Sequence, residues 1–301
     1  MQKISVIIPT FNKGGRLVLA LTSFCYQDTS VPFEIILVDG GDEPNLNANH
    51  FLSLLPLKIV TVKNRGRSYN RNVGIKAAEG DLLIFSDDDC IVEPSFISSH
   101  WRAHQMEADL LVHGWKDEIP YTRFFIDPRF PQKGLLPPYQ NRHLSDDLMS
   151  YAINAENLYI NLDIIRQWGH TQDRLEKTVR QMFLNNITNY QIPWLAACTA
   201  NMSLPRSLAL KVGLFEEAFG LEWGPEDIEF GYRVYKFGGR LSDAPQAHNY
   251  HLSHARKDGK AIARRGFARF QSFHPEDLLI SEVAEFLVDG TGSIDSFLKI
   301  D

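Results

Sequence analysis

Four short apolar runs alternate with helix-patterned stretches over the first ninety residues, and that alternation constrains the fold more than any other feature of the chain. Residues 4–9, 34–38, 58–62 and 81–85 each read as a strand, and the β-branched run at 4–9 suits a strand buried on both faces. Between them, residues 16–27 place Leu17, Ala20, Leu21, Phe24 and Cys25 at helical spacing. Residues 66–78 place Tyr69, Val73 and Ala77 four apart, with Gly80 as a stop signal. Alternating strand and helix predicts an α/β fold built on a doubly wound, mostly parallel sheet flanked by helices.

The strand tips carry the chemistry. Asp87-Asp88-Asp89 follows the run Leu82-Leu83-Ile84-Phe85. Three adjacent carboxylates repel one another, so stability alone gives little reason to place them at the end of a buried strand. A divalent cation supplies one, because Mg²⁺ and Mn²⁺ take carboxylate oxygens and keep positions open for substrate phosphates. Open parallel sheets bind ligands beyond the carboxyl ends of their strands, where this triplet falls. The plainer alternative is an acidic turn that caps the next helix. Asp39 lies at an equivalent edge after Ile35-Ile36-Leu37-Val38, and Gly40-Gly41 behind it permits a tight turn and close approach of a ligand. Its carboxylate either accepts hydrogen bonds from a base or ribose or only shapes the turn.

Two further charged sets stand out. Arg65, Arg67 and Arg71 begin a helix, where the helix dipole disfavours cations. Either Asp39 and the acidic triplet satisfy them internally or a nucleotide diphosphate does. Glu226 and Asp227 fall in the first turn of a helix expected over 226–237, a place that favours acids for capping alone. Trp223 and the glycines 220 and 224 precede them, and an aromatic wall and mobile loop beside a carboxylate also suit a general base. His248, His251 and His254 recur every third residue. One imidazole completing the coordination of an ion at Asp89 asks less of the chain than a three-His zinc site.

Beyond residue 112 the pattern loosens. Residues 110–115 read as a strand, 117–141 as a proline-rich loop, and 146–168 and 173–185 as helices, so 113–195 is expected to be a mainly helical insertion of the kind that forms lids. The segment 256–301 holds basic residues (Arg256, Lys257, Lys260, Arg264, Arg265, Arg269) and an amphipathic helix over 275–290 with Leu278, Leu279, Val283, Phe286 and Leu287 on one face. The basic residues form either a solvated helix face or a seat for a small anion. A net charge of −6 disfavours a general nucleic-acid binder. No apolar stretch reaches the ~20 residues of a transmembrane helix. Cys25, Cys90 and Cys198 have neither disulfide-framework nor zinc spacing. The expected location is therefore the cytoplasm, free or peripheral to the membrane.

Taken in order, these segments resemble a known family: Val6-Ile7-Ile8-Pro9-Thr10-Phe11-Asn12; Ile36-Leu37-Val38-Asp39-Gly40; Gly66-Arg67-Ser68 through Arg71-Asn72-Val73-Gly74; Phe85-Ser86-Asp87-Asp88-Asp89; Asn201-Met202-Ser203; and Trp223-Gly224-Pro225-Glu226-Asp227 through Gly231-Tyr232-Arg233. They resemble the inverting nucleotide-sugar glycosyltransferases of family 2, which have the GT-A fold. The last segment also resembles a galactosyltransferase-type C-terminal ED module. The resemblance makes 1–112 the nucleotide-sugar half and 196–255 the acceptor and catalytic half.

It implies Pro9, Phe11 and Asp39 beside the base, Arg67 and Arg71 near the uridine and phosphates, and Asp87 and Asp88 at the donor sugar nucleotide. Asp89 and His251 would hold Mn²⁺ or Mg²⁺, and Asn201, Trp223 and Gly224 would meet the acceptor. Asp227 would be the base, with Glu226 orienting substrate. The implied reaction moves a sugar from a nucleotide-diphosphate donor, expected to be a UDP-sugar, to a hydroxyl of a glycan, glycolipid, peptide or small molecule. Two rivals remain at this level: a nucleotidyltransferase, which would release pyrophosphate, and a non-catalytic nucleotide-sugar-binding module, which would not need a base.

Overall fold

Residues 3–42, 46–105, 107, 109–120, 152–254 and 258–299 are described by the computed structural model of the chain. Most of the proline-rich stretch, the first part of the helix expected over 146–168, and Arg256 and Lys257 lie outside the described residues. The alternation of the first ninety residues is realised as β1 (Ile4–Thr10), α1 (Gly15–Phe24), β2 (Phe33–Asp39), the short α2 (Leu46–Asn49), β3 (Leu57–Thr61), α3 (Arg67–Ala77) and β4 (Leu82–Ser86). There follow β5 (Cys90–Val92), α4 (Phe96–Ala103), β6 (Leu110–Pro120), α5 (Leu162–Trp168), α6 (Arg174–Leu184), β7 (Asn201–Pro205), α7 (Arg206–Val212), α8 (Glu226–Lys236), β8 (Arg240–Ser253), α9 (Gly259–Phe273) and α10 (Leu279–Ala284).

Among the described residues these strands form one eight-stranded sheet in the order β3-β2-β1-β4-β7-β6-β8-β5. Strands β3, β2, β1 and β4 are parallel, as the crossover helices require. Strand β7 runs against both of its neighbours, and β5 against β8, so the sheet is mixed in its second half. Successive strand side chains point to opposite faces. Ile4, Val6 and Ile8 therefore pack with Leu17, Leu21 and Phe24 of α1 on one side, and Ile7 with Ile36, Val38 and Ile75 of α3 on the other. All are buried, and burial of each such side chain stabilises by roughly 1.5–3 kcal/mol.

Register sets the functional edge. Thr10 of β1 pairs with Asp39 at the end of β2, and Ser86 at the end of β4 pairs with Asn201 at the start of β7. The loops after β1, β2 and β4 and the loop before β7 thus leave the same edge. Strand β8 closes the site from the other side: His251 is in register with Cys90 of β5 and with Glu118 of β6.

Three expectations change, the first being residues 117–120, expected in a loop, which extend strand β6 to Pro120 because they continue its ladder with β8. Within the described residues the helix expected over 146–168 is confined to α5, preceded by turns. Asn154 accepts from the backbone N–H groups of Glu156 and Asn157, and Asn157 donates to Ala152 O, local bonds that compete with helix. The C-terminal helix begins only at Leu279 and ends in a π-helical turn (Glu285–Asp289) with Gly290 beyond it. Its buried face is Ile280, Val283 and Phe286, while Leu278 is 71% exposed. The basic segment contains the 15-residue helix α9. Its described cations lean towards internal pairing: Lys260 and Arg264 meet Asp289, and Arg265 meets Glu222.

Candidate functional site

The strand edge opens into a cavity of about 920 Å³. Asp89, between β4 and β5, is 2% exposed and sits among cations and imidazoles. Its Oδ2 accepts from Lys13 Nζ at 2.5 Å and lies 3.4 Å from Arg16 Nη1. His251 Nε2 is 3.4 Å from its Oδ1, and His254 Nε2 is 3.5 Å from its Oδ2. One ligand atom from each of Asp89, His251 and His254 fits within a mutual distance of 4.8 Å. A carboxylate and two imidazoles on one buried corner is a donor set that fits a divalent metal. His248 does not join them. Residues three apart on a strand face opposite ways, and His248 instead meets Asp117 Oδ2 at 3.1 Å and stacks on Tyr250.

The charges in this corner shape one another. Burial works against the charged form of His251, but the carboxylates of Asp89 and Glu118 on either side outweigh it and raise the imidazole to about 9. Burial would likewise raise Asp89, yet His251, Lys13 and Arg16 hold it well below the usual carboxylate range. Asp88 is buried too, and desolvation with Asp89 nearby lifts it to about 6 against the pull of Lys13. Its Oδ1 is 3.6 Å from Lys13 Nζ.

The second acidic pair faces the same cavity. Arg71 of α3 is 2% exposed, with Nη1 2.7 Å from Glu226 Oε1 and Nη2 3.5 Å from Asp87 Oδ1. Of the two alternatives open to this arginine, internal neutralisation is realised, by Asp87 and Glu226. Glu226 Oε2 is buried with no hydrogen-bond partner. Half-buried Asp227 accepts from Thr199 N at 3.3 Å and from Ile228 N at 2.9 Å. Desolvation, with Glu226 adding to it, raises Asp227 to about 6 despite Arg71.

The remaining residues divide. Pro9, Phe11, Arg67, Asp87, Asp88, Trp223 and Gly224 line the cavity. Phe11 is 44% exposed, and Arg67 is exposed as well. Gly66 has a φ of 113°, and a Cβ there would lie 1.9 Å from Gly220 O, so the start of α3 is pressed against the loop that carries Trp223. Asp39 is buried, accepts from Gly41 N at 2.9 Å and is not among the lining residues. Asn201, expected at the acceptor, does not line the cavity either. Its amide donates to Trp115 O and Ala247 O and accepts from His100 Nε2, a structural junction of strands.

Several lining residues escaped the sequence reading. Lys13 follows β1 by three residues, at the same kind of strand edge that singled out Asp39 and Asp87, and that signal was available. Lys116 and Glu118 share a face of β6, two apart, and Glu118 reaches His251 only through the β6–β8 ladder. Among the described residues no helix is long and apolar enough to cross a membrane.

Comparison with known proteins agrees with this geometry. Residues 5–158 match the profile described as Glycosyl transferase family 2. The chain is 30% identical over 249 residues to the uncharacterized glycosyltransferase YfnE of Bacillus subtilis, an alignment covering 79% of this chain and 61% of that protein. It thus spans less than two thirds of that relative's length. The solved mannosyltransferase PcManGT from Pyrobaculum calidifontis, in complex with GDP-Man and Mn²⁺, superposes with a TM-score of 0.56 at 14% identity, over 94% of this chain and 69% of that one. GalNAc-T7 with UDP, GalNAc and Mn²⁺ gives 0.57 at 17% identity, over 99% of this chain and 56% of that one. These likenesses establish the GT-A fold. With that fold, and with the family profile matching just over half of the residues, the chain belongs to glycosyl transferase family 2.

Proposed function

We propose that the cavity binds a nucleotide-diphosphate sugar and a divalent cation, and that the chain transfers the sugar to an acceptor hydroxyl with inversion of configuration. The observation that carries this reading is the pairing of two acidic centres across one cavity. A metal-type cluster stands at Asp89, and a carboxylate near neutrality stands at Asp227. Asp89, His251 and His254 hold the cation, which when bound would offset the charge gathering on the diphosphate leaving group. Their mixed nitrogen and oxygen donors favour Mn²⁺ over Mg²⁺, which prefers oxygen alone.

Asp227 takes the proton of the acceptor hydroxyl as its oxygen attacks the anomeric carbon opposite the diphosphate. The new C–O bond forms as the old one breaks, the diphosphate leaves with that electron pair, and the configuration inverts in one displacement. Glu226, tethered by Arg71, turns its unpartnered oxygen to the acceptor, as in a galactosyltransferase-type ED module. Pro9, Phe11 and Arg67 meet the nucleotide, and Trp223 and Gly224 border the acceptor. The donor on this reading is a UDP-sugar, supported by the UDP bound to GalNAc-T7. The GDP-Man of PcManGT makes GDP-sugars the natural control. A cytoplasmic setting is part of the same reading, supported by three free cysteines.

The test is incubation with UDP- and GDP-sugars, Mn²⁺ and a panel of hydroxyl acceptors. Free nucleoside diphosphate and the anomeric configuration of the product are followed by NMR. The reading expects UDP and an inverted product; pyrophosphate release, or retention of configuration, would overturn it.

A further inference from the structure

We propose that Glu118 is a positioning residue for the cation site: it accepts the Nδ1 proton of His251 and so holds the imidazole with Nε2 turned to Asp89. The proposal rests on the reading of Asp89, His251 and His254 as the ligands. Glu118 Oε2 lies 2.7 Å from His251 Nδ1, while His251 Nε2 lies 3.4 Å from Asp89 Oδ1. The imidazole is therefore spanned by two carboxylates, one on each nitrogen.

The β6–β8 ladder enforces this contact. Glu118 and His251 are register partners in parallel strands, so the backbone brings the two side chains together, with no mobile loop involved. The other Glu118 oxygen accepts from Lys116 Nζ at 2.5 Å, and Ser253 Oγ also donates to Oε2. Three side chains, Lys116, Ser253 and His251 itself, thus fix one orientation of the carboxylate, and through it one face of the ring. A histidine ligand is defined by what its second nitrogen does, because that bond selects the tautomer and stops the ring turning over. Without Glu118, His251 can rotate and present Nδ1 or a carbon to Asp89.

The experiment is calorimetric titration of the full chain with Mn²⁺ for the wild type, Glu118→Ala and Glu118→Gln. Glu118→Ala should bind about 10–100-fold more weakly, the usual loss when such a partner is removed. Glu118→Gln, whose amide oxygen can still accept the Nδ1 proton, should lose less. Equal affinity in Glu118→Ala and wild type would sink the proposal while leaving the proposed function standing. If the wild type binds no Mn²⁺ at all, both fall.

Should Glu118→Ala fail to fold, the unmodified chain decides. With diamagnetic Zn²⁺ as the probe, ¹⁵N NMR should show His251 protonated at Nδ1 and ligated through Nε2. Ligation through Nδ1 would overturn the proposal.

Discussion

Arg71 and Glu226 are 155 positions apart in the chain, yet guanidinium and carboxylate meet at 2.7 Å in a buried ion pair. Through Asp87, 3.5 Å from the same guanidinium, that pair ties the acidic triplet to the acidic helix. The arginine is therefore a beam between the halves of the site before it is a ligand for anything else.

Removing one partner of such a pair strands the other, which typically costs about 3–5 kcal/mol. Arg71→Ala should accordingly lower the melting temperature by several degrees. Exposed Arg67 makes a clean contrast: Arg67→Ala should leave stability within about 0.5 kcal/mol and weaken UDP binding. Thermal melts and calorimetry on both variants check this, and an Arg71→Ala protein that melts like wild type would refute the beam.

Asp227→Asn keeps the shape of the side chain and removes the proton acceptor. The transfer rate should fall about 10²–10⁴-fold, with donor affinity unchanged. Because the carboxylate is raised to about 6 and must be ionised to act, the wild-type rate should climb with pH through that region and then level off. A pH profile that is flat from 5 to 8, with a normal rate for Asp227→Asn, would reduce Asp227 to a helix-capping acid.

The same shift has a stability side. The folded-state value of about 6 lies above the unfolded 3.8, so between these pH values the folded chain alone holds the proton. Stability from this group is therefore present at low pH and lost as pH rises through that window. Asparagine does not titrate, so Asp227→Asn should be at least as stable as wild type at pH 7.5. Denaturant unfolding at pH 4 and pH 7.5 tests the sign; a variant less stable at pH 7.5 would contradict it.

Lys13 stands where a cation belongs, 2.5 Å from Asp89. Chelation by EDTA should therefore stop transfer while moving the melting temperature little, since an internal charge remains beside the carboxylate. Lys13→Met should lose roughly 1.5–3 kcal/mol in EDTA, the worth of a hydrogen bond to a charged group, and should recover a larger share than wild type on adding Mn²⁺. Equal Mn²⁺-induced shifts in the two proteins would count against that role for Lys13.

What the sequence disclosed was local. Asp39 and Asp87 to Asp89 could be placed because a continuous apolar run and an abrupt polar stop mark the end of a buried strand within a few residues. Glu118 could not, because its partner His251 lies 133 positions away and only a β-ladder joins them. Asn201 entered only through the family resemblance, and three internal hydrogen bonds to partners far along the chain hold it between strands, contacts that no local pattern signals. Helix α9 realises the helix alternative for Lys260, Arg264, Arg265 and Arg269, but their charges drew the reading away from its apolar side, Phe267 and Phe270. Leu278 shows the reverse error, an apolar residue left largely exposed.

The press of position 66 against the carbonyl of Gly220 bears on how such a protein can be re-engineered or can diverge. Any side chain at 66 would meet the backbone of the loop opposite, with its Cβ only 1.9 Å from that oxygen. The turn before α3 and the Trp223 loop are thus one unit of inheritance. A new sequence grafted onto the loop around 220–225 must bring its own match for the turn around 64–67. A chimera that swaps one without the other begins with a collision between two backbones.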